Sequence, residues 1–141
     1  MNKHNLSVLL IDDDDVALES TIRNLRKNAV HFPVLTAING SEGLAVLREK
    51  RSSGTTSESL IVLLDLNMPV MNGFEFLEEL RRDPALRPTV VFVLTTSDTD
   101  VDRMHAYDEC IAGYMVKSTI GPQFNNLANL LLSYDAVVQF P

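Results

Sequence analysis

The chain has 141 residues, a formal net charge of −7 and a single cysteine. This length is typical of one domain, and the acidic balance without a large Lys/Arg cluster argues against a nucleic-acid binder. One cysteine excludes an internal disulfide, and no apolar run has the length of a signal peptide or of a membrane span. We therefore expect one cytoplasmic domain without a membrane partner, in which Cys110 is a small core residue.

Five short, mostly apolar runs alternate with helical patterns along the chain. The runs cover residues 6–11, 34–38, 60–64, 89–94 and 113–116. Runs of this length that end at turn residues are typical of strands buried on both faces. Strands that alternate with helices form βαβ units. The pattern predicts an α/β fold, a doubly wound five-stranded parallel sheet with five helices in a three-layer sandwich.

Apolar residues at helical spacing fill the intervals between these runs. They are Leu18, Ile22, Leu25, Ala29, then Leu44, Leu47, then Phe74, Leu77, Leu80, and finally Phe124, Leu127, Leu131, Tyr134, Val138. Ser41 is expected to cap the second helix, and Pro84 to end the third. Ser97 with Asp100 resembles a capping box for the fourth helix, and Pro122 stands at the start of the fifth.

Polar side chains follow four of the predicted strands where each strand ends. Asp12 and Asp13 follow the first, Asp65 the third, Thr95 the fourth and Lys117 the fifth. The carboxyl ends of parallel strands meet at one edge of the sheet, where open α/β folds bind ligands. Two carboxylates ~4 Å apart repel by about 4 kcal/mol at an effective dielectric of ~20, so the cluster needs protons or a cation. Oxygen ligands of this kind suit Mg²⁺.

A carboxylate beside such a metal can attack a phosphoryl group and form an aspartyl phosphate. The transferred group spreads its charge over three equatorial oxygens. The metal would take one oxygen, Lys117 the second and the Thr95 hydroxyl the third. Each residue alone has a plainer interpretation, namely a helix start, a surface ion pair or a cap. The histidines, His4, His31 and His105, show no ligand spacing.

The segments LLIDDDD, LLDLNMPVMNG, VLTTSD and GYMVKS resemble those of the response-regulator receiver domain, which has the CheY-like fold. The resemblance runs from about residue 6 to residue 132, and we expect one receiver domain over 1–141 with no output domain. It implies a phosphorylation switch in two-component signal transduction, not an enzyme with metabolic turnover. Asp65 would accept the phosphoryl group from the phosphohistidine of a sensor histidine kinase.

The same resemblance implies a metal site for Mg²⁺ or Mn²⁺. Its ligands would be Asp12, Asp13, Asp65 and the backbone carbonyl of Asn67. In the family, the residue matched by Asp13 binds the metal directly and that matched by Asp12 usually acts through water.

A switch pair and two departures from the family pattern complete the resemblance. Thr95 and Tyr114 match the hydroxyl–aromatic pair of the switch, and Lys117 matches the family's lysine. Ser118 replaces the usual Pro, which leaves the path of the next loop open. Thr96 replaces the common Ala or Ser, which would narrow access to the phosphate.

The ending of the chain is similar to that of single-domain regulators of bacteriophytochrome-type histidine kinases, which form homodimers through the last helix region. The apolar stripe over 124–138 fits either such an interface or a helix packed wholly on the core. Two other classes stay open. A Mg²⁺-dependent phosphohydrolase acting through an aspartyl phosphate would commonly have Asp where Asn67 stands. A flavodoxin-like cofactor binder would not have four aspartates after its first strand.

Overall fold

The structure is a computed structural model, which describes residues 6–52, 59–121 and 124–141. Across these residues the strands are β1 (Leu6–Ile11), β2 (Val34–Ala37), β3 (Ser59–Leu64), β4 (Val90–Thr95) and β5 (Gly113–Val116). The α-helices are α1 (Asp15–Lys27), α2 (Gly40–Ser52), α3 (Gly73–Arg82), α4 (Asp100–Asp108) and α5 (Asn125–Val137). A 3₁₀ turn, Lys117–Thr119, follows β5 and contains Ser118. Within these ranges no helix has the length and apolar character needed to span a membrane.

The sheet is parallel throughout, with strand order β2-β1-β3-β4-β5. This confirms the predicted α/β fold. The chain moves outward from β1 to β2, then returns past β1 to β3 and continues on the other side. The reversal creates a crevice outside the carboxyl ends of β1 and β3, and such switch points bind ligands in open α/β sheets.

Alternate residues of β3 point into two separate apolar layers, as the two-residue period of a strand requires. Val62 and Leu64 pack in one layer with residues of α2 and α3, including the fully buried Phe76. Ile61 and Leu63 pack in the other with residues of α1 and α5. Burial on both faces holds the carboxyl end of β3 rigidly at the crevice.

Two of the predicted helix caps are each wrong by two residues. Asn39, not Ser41, caps α2, because its side chain accepts a hydrogen bond of 2.8 Å from a backbone amide in the first turn. Thr99, not Ser97, caps α4 through a bond of 3.2 Å to the amide of Asp102. Ser97 lies too far before the helix to reach its free amides, and its hydroxyl donates instead to the Asp102 carboxylate at 2.6 Å.

Several residues placed in helices or in the core from sequence lie elsewhere. Ala29 follows α1 with φ 68°, and Phe124 precedes α5 with φ 60°. Val138 follows α5, and Pro122 lies outside the described residues. Cys110 is exposed with φ 62°, because α4 ends at Asp108 and the chain turns at the surface. Apolar spacing indicates a helical face but does not locate the turns that end it.

Arg81 of α3 joins three segments through its guanidinium group. It donates to the backbone carbonyls of Arg87 at 2.7 Å and Thr89 at 2.9 Å, just before β4. It also donates to the carbonyls of Glu109 at 2.7 Å and Cys110 at 3.0 Å, just after α4. A planar fork of five donors can satisfy four acceptors at once, and an ammonium group cannot.

We expect Arg81→Lys to lower the free energy of unfolding by about 1.5–3 kcal/mol, because charge-assisted bonds to these carbonyls are lost. Urea unfolding at equilibrium measures the change. The matched control is Arg82→Lys, since Arg82 pairs with Glu79 at the surface and its side chain is 70% exposed. The control should stay within about 0.5 kcal/mol of the parent protein. Equal midpoints for the two variants would contradict this role of Arg81.

Candidate functional site

The structure brings the predicted polar residues together at the carboxyl edge of the sheet. Carboxylate oxygens of Asp12, Asp13 and Asp65 lie within 4.8 Å of one another. The Nζ of Lys117 lies 2.8 Å from Oδ2 of Asp12. The Thr95 hydroxyl lies near enough to Asp65 to lower the pKa of this carboxyl group. Residues from four strand ends therefore share one site, although they are far apart in the sequence.

Backbone hydrogen bonds continue the sheet just past its strands and hold the acids in place. The amide of Asp65 donates to the carbonyl of Ile11 at 2.9 Å, which ties the end of β3 to the end of β1. The Asp12 carboxylate accepts the amide of Asp14 at 3.0 Å. Asp14 itself caps α1. The helix-start interpretation thus applies to Asp14, whereas Asp12 and Asp13 face the crevice with Asp65.

A glycine allows α3 to start directly against this loop. The amide of Gly73 donates to the carbonyl of Leu66 at 3.0 Å. A Cβ atom at Gly73 would stand 2.6 Å from the carbonyl oxygen of Asp65 and 2.8 Å from the Cα of Leu66. Any side chain here would displace the backbone that carries Asp65, which accounts for the glycine that ends the segment LLDLNMPVMNG.

Burial dominates the electrostatics of the site. Asp65 and Asp12 are each 9% exposed, and Thr95 is fully buried. Burial raises the pKa of Asp65 above its ordinary value of 3.8; the charge of Lys117 lowers this pKa, and the carboxylate of Asp12 raises it. The net shift is upward, so the ionised form of Asp65 is disfavoured without a further positive charge. A divalent cation among these oxygens would supply that charge, and the donor set fits one.

Asn67 and Tyr114 stand at the margin of the site. The backbone amide of Asn67 donates to Asp65 at 3.5 Å. The Tyr114 hydroxyl donates to the carbonyl of Ser97 at 3.1 Å, and the Ser97 amide donates to the Thr95 hydroxyl at 3.3 Å. Tyr114 is therefore linked to Thr95 through Ser97, a residue that the sequence had indicated only as a helix cap.

A second group of ligand atoms lies between α3 and α4. Side-chain atoms of Glu78, His105 and Glu109 come within 4.8 Å of one another, and the His105 ring stacks on Phe74 with centroids 4.0 Å apart. Sequence spacing had shown no ligand pattern for His105, because Glu78 belongs to a different helix. His4 lies outside the described residues.

The sequence profile of the response regulator receiver domain matches residues 8–128. The chain therefore belongs to this family, the phosphoacceptor domains of two-component systems that work with histidine kinases. Among known proteins it is similar to the response regulator Rcp1 of Synechocystis sp., with 27% identity over 111 residues, 79% of this chain and 76% of Rcp1.

Solved structures agree with this assignment. The phosphorylated cyanobacterial phytochrome response regulator RcpA matches with a TM-score of 0.80 and 28% identity over 99% of both chains. A response regulator receiver domain from Rhodospirillum rubrum matches with a TM-score of 0.79 and 27% identity over 96% of both chains. The resemblance to the receiver domain that the sequence segments indicated is thus confirmed, and relatives include phytochrome response regulators.

We expect Mg²⁺ to stabilise the folded protein, because it relieves the repulsion among three carboxylates that meet only in the folded state. At 100 times its dissociation constant the gain would be about 2.7 kcal/mol. Asp13→Asn should weaken Mg²⁺ binding by about 10-fold or more. His105→Gln is the control and should leave it unchanged, because Mg²⁺ prefers oxygen ligands to imidazole. Thermal unfolding across a Mg²⁺ titration measures both, and equal responses of the two variants would contradict the site.

The pH dependence of this stabilisation has a definite sign. The pKa of Asp65 is raised above 3.8 in the folded protein. Without metal, the folded state therefore binds more protons than the unfolded state just above pH 3.8, and the contribution of Asp65 to stability rises as the pH falls through the raised pKa. The Mg²⁺-dependent gain should fall over the same interval, because protons and metal compete for the same oxygen.

Proposed function

We propose that Asp65 is the phosphoacceptor of this receiver domain. Asp12, Asp13, Asp65 and the backbone carbonyl of Asn67 would hold Mg²⁺ or Mn²⁺. The observation that carries the proposal is the approach of three carboxylates to within 4.8 Å at the crevice between β1 and β3, with Lys117 bound to one of them. A structural ion pair needs one carboxylate per lysine, so two further acids in the same place favour a metal and a phosphoryl group.

In the proposed reaction an Asp65 oxygen attacks the phosphorus of a phosphohistidine on a sensor kinase. The O–P bond forms while the P–N bond breaks, and the electron pair stays on the leaving imidazole nitrogen. Lys117 and the Thr95 hydroxyl donate hydrogen bonds to two phosphoryl oxygens, since each already contacts a carboxylate of the site. A bound divalent cation supplies charge neutralisation for the phosphoryl group.

Phosphorylation of Asp65 would change the contacts with binding partners through Thr95 and Tyr114. In the receiver-domain family, phosphorylation draws the hydroxyl of the switch pair toward the phosphoryl group, and the aromatic ring of the pair turns inward. In the structure the Thr95 hydroxyl lies near Asp65, and the Tyr114 hydroxyl donates to the carbonyl of Ser97. Phosphorylation would draw Thr95 toward the phosphoryl group and shift the surface of α4, β5 and α5, as expected for a two-state element.

The proposed kinase partner is of the bacteriophytochrome type, which similarity to the cyanobacterial phytochrome response regulator RcpA supports. A homodimer through the last helix is part of the proposal. The helix α5 buries Leu127, Ala128 and Leu131 in the core and leaves Val137 78% exposed. Contact between two copies would therefore involve the C-terminal end of α5.

The test is incubation with acetyl phosphate, with and without Mg²⁺, followed by intact mass and peptide mapping. One phosphoryl group should be added on Asp65, only with the metal, and gel filtration of both forms would report the oligomer. In this proposal the domain catalyses only its own phosphorylation and dephosphorylation. Label on another residue, or phosphomonoester turnover above about one per second, would contradict it.

A further inference from the structure

Ser97 makes three hydrogen bonds to three different parts of the molecule. Its amide donates to the Thr95 hydroxyl at 3.3 Å, and its carbonyl accepts the Tyr114 hydroxyl at 3.1 Å. Its own hydroxyl donates to Oδ2 of Asp102 at 2.6 Å. Two of these bonds use the backbone and would persist with any residue other than proline at this position. Only the bond to Asp102 depends on the serine side chain.

The bond to Asp102 is well suited to transmit movement. Its length is that of a charge-assisted hydrogen bond to an ionised carboxylate, the stronger class of such bonds. Asp102 lies in the first turn of α4, where the helix dipole favours a negative charge. Its own amide donates to the capping hydroxyl of Thr99 at 3.2 Å. The carboxylate is therefore tied to the helix that carries it and to Ser97.

A path of contacts leads from the proposed phosphoacceptor to a helix. The buried Thr95 hydroxyl lies near Asp65 and accepts a hydrogen bond from the amide of Ser97, and the hydroxyl of Ser97 donates to Asp102. Few residues separate the end of β4 from the start of α4. A shift of Thr95 toward a phosphoryl oxygen would displace Ser97, and the short bond to Asp102 would pass this displacement to the helix.

The helix at the end of this path has an outer face suited to protein contact. Val101, Met104 and Tyr107 recur every third residue on α4 and are 76%, 67% and 48% exposed. Large apolar side chains that are this exposed on one short helix mark a surface for protein contact. The position of this surface depends on the position of α4.

We propose that the Ser97 hydroxyl is a positioning group that couples the phosphorylation state of Asp65 to the position of α4 through the Asp102 carboxylate. The inference deepens the proposed function and rests on it. Coupling between sites is reciprocal, so the same bond also favours the arrangement in which Thr95 contacts Asp65. The Tyr114 hydroxyl donates to the Ser97 carbonyl and would also respond to a displacement of Ser97. In this proposal, however, the displacement reaches α4 through Asp102 and not through Tyr114.

The experiment compares hydrogen–deuterium exchange of the α4 amides with and without acetyl phosphate and Mg²⁺, while intact mass follows the label on Asp65. Ser97→Ala should take a full label yet show a label-dependent change in α4 exchange that is about 5-fold or more smaller than that of the parent protein. Ser97→Thr keeps the hydroxyl and should restore the response. Asp102→Ala breaks the same bond from the helix side and should show the same reduced change in α4 exchange. It therefore provides the test even if Ser97→Ala folds poorly.

The matched control is Asp100→Asn, because Asp100 lies in the same turn of α4 but pairs with Arg103. It should respond like the parent protein. A full α4 response in Ser97→Ala or Asp102→Ala, or a labelled parent protein without any response in α4, would overturn the role of Ser97 and leave the phosphoacceptor intact. Absence of label in the parent protein would instead overturn the proposed function and this inference with it.

Discussion

Asp65→Asn should abolish phosphoryl incorporation from acetyl phosphate, with intact mass unchanged after prolonged incubation in Mg²⁺. An amide lacks the ionised oxygen that attacks phosphorus, whereas its shape leaves the loop and the sheet edge undisturbed. The amide of Asp65 is held at the edge by the carbonyl of Ile11, and that backbone bond survives the substitution. Loss of label therefore reports chemistry and not unfolding.

The matched control for this variant is Asp14→Asn. Asp14 lies beside the site and caps α1 through its side chain, and Asn is an equally good cap. This variant also removes one negative charge, but it should take a full label. Stoichiometric label in Asp65→Asn, or loss of label in Asp14→Asn, would show that another residue accepts the phosphoryl group.

Stability gives a second test of the same variant. Because burial raises the pKa of Asp65, its charge costs free energy in the folded state when no metal is bound. We expect Asp65→Asn to raise the free energy of unfolding in EDTA by about 1–3 kcal/mol, as removal of one of three clustered charges implies. Added Mg²⁺ should reverse the order, since the variant binds the metal more weakly. Urea unfolding at neutral pH measures both conditions.

Lys117→Met should slow phosphoryl transfer by about 100-fold or more while leaving Mg²⁺ binding intact or tighter. The Nζ of Lys117 lies 2.8 Å from Asp12, and its side chain is 25% exposed. Loss of one positioned donor to a developing negative charge typically costs this much in rate. The same loss removes a positive charge that competes with the metal for Asp12, so rate and metal affinity should move in opposite directions.

Lys27→Met is the control, because Lys27 is an exposed residue at the end of α1. It should change neither quantity. Labelling rates at fixed acetyl phosphate and Mg²⁺ titrations by thermal unfolding are the measurements. Parallel loss of metal binding and rate in Lys117→Met would indicate that the lysine maintains the fold of the site and contributes no contact to the phosphoryl group.

The acidic edge of the sheet could be predicted from residue order, because in a parallel sheet the residue that follows each strand lies at the same edge. A short apolar run such as 60–64 becomes a strand buried on both faces, and the residue after it must emerge at the carboxyl edge. This reasoning found Asp12, Asp13 and Asp65, as well as Thr95 and Lys117, without any distance. The structure then brought the three carboxylates to within 4.8 Å.

Contacts between separate elements were beyond such reasoning, as Ser97 and Asp14 illustrate. Which of four consecutive aspartates caps α1 depends on where the helix begins, and the structure assigns this to Asp14. Ser97 looked like a cap, but the position of Thr99 at the start of α4 leaves its hydroxyl for the Asp102 carboxylate. Cys110 was expected in the core but is exposed, because α4 ends at Asp108 and the chain turns at the surface there.

The approach of His105 to Glu78 and Glu109, and of Tyr114 to Ser97, likewise appeared only once the chain was folded. The strands, the site edge and the identity of its acids follow from patterns that extend over a few residues, because strand period and chain direction are local properties. Caps, hydrogen-bond partners and exposure depend on how helices end and pack. Those outcomes are decided by differences of about 1 kcal/mol between neighbouring positions, which the order of residues does not reveal.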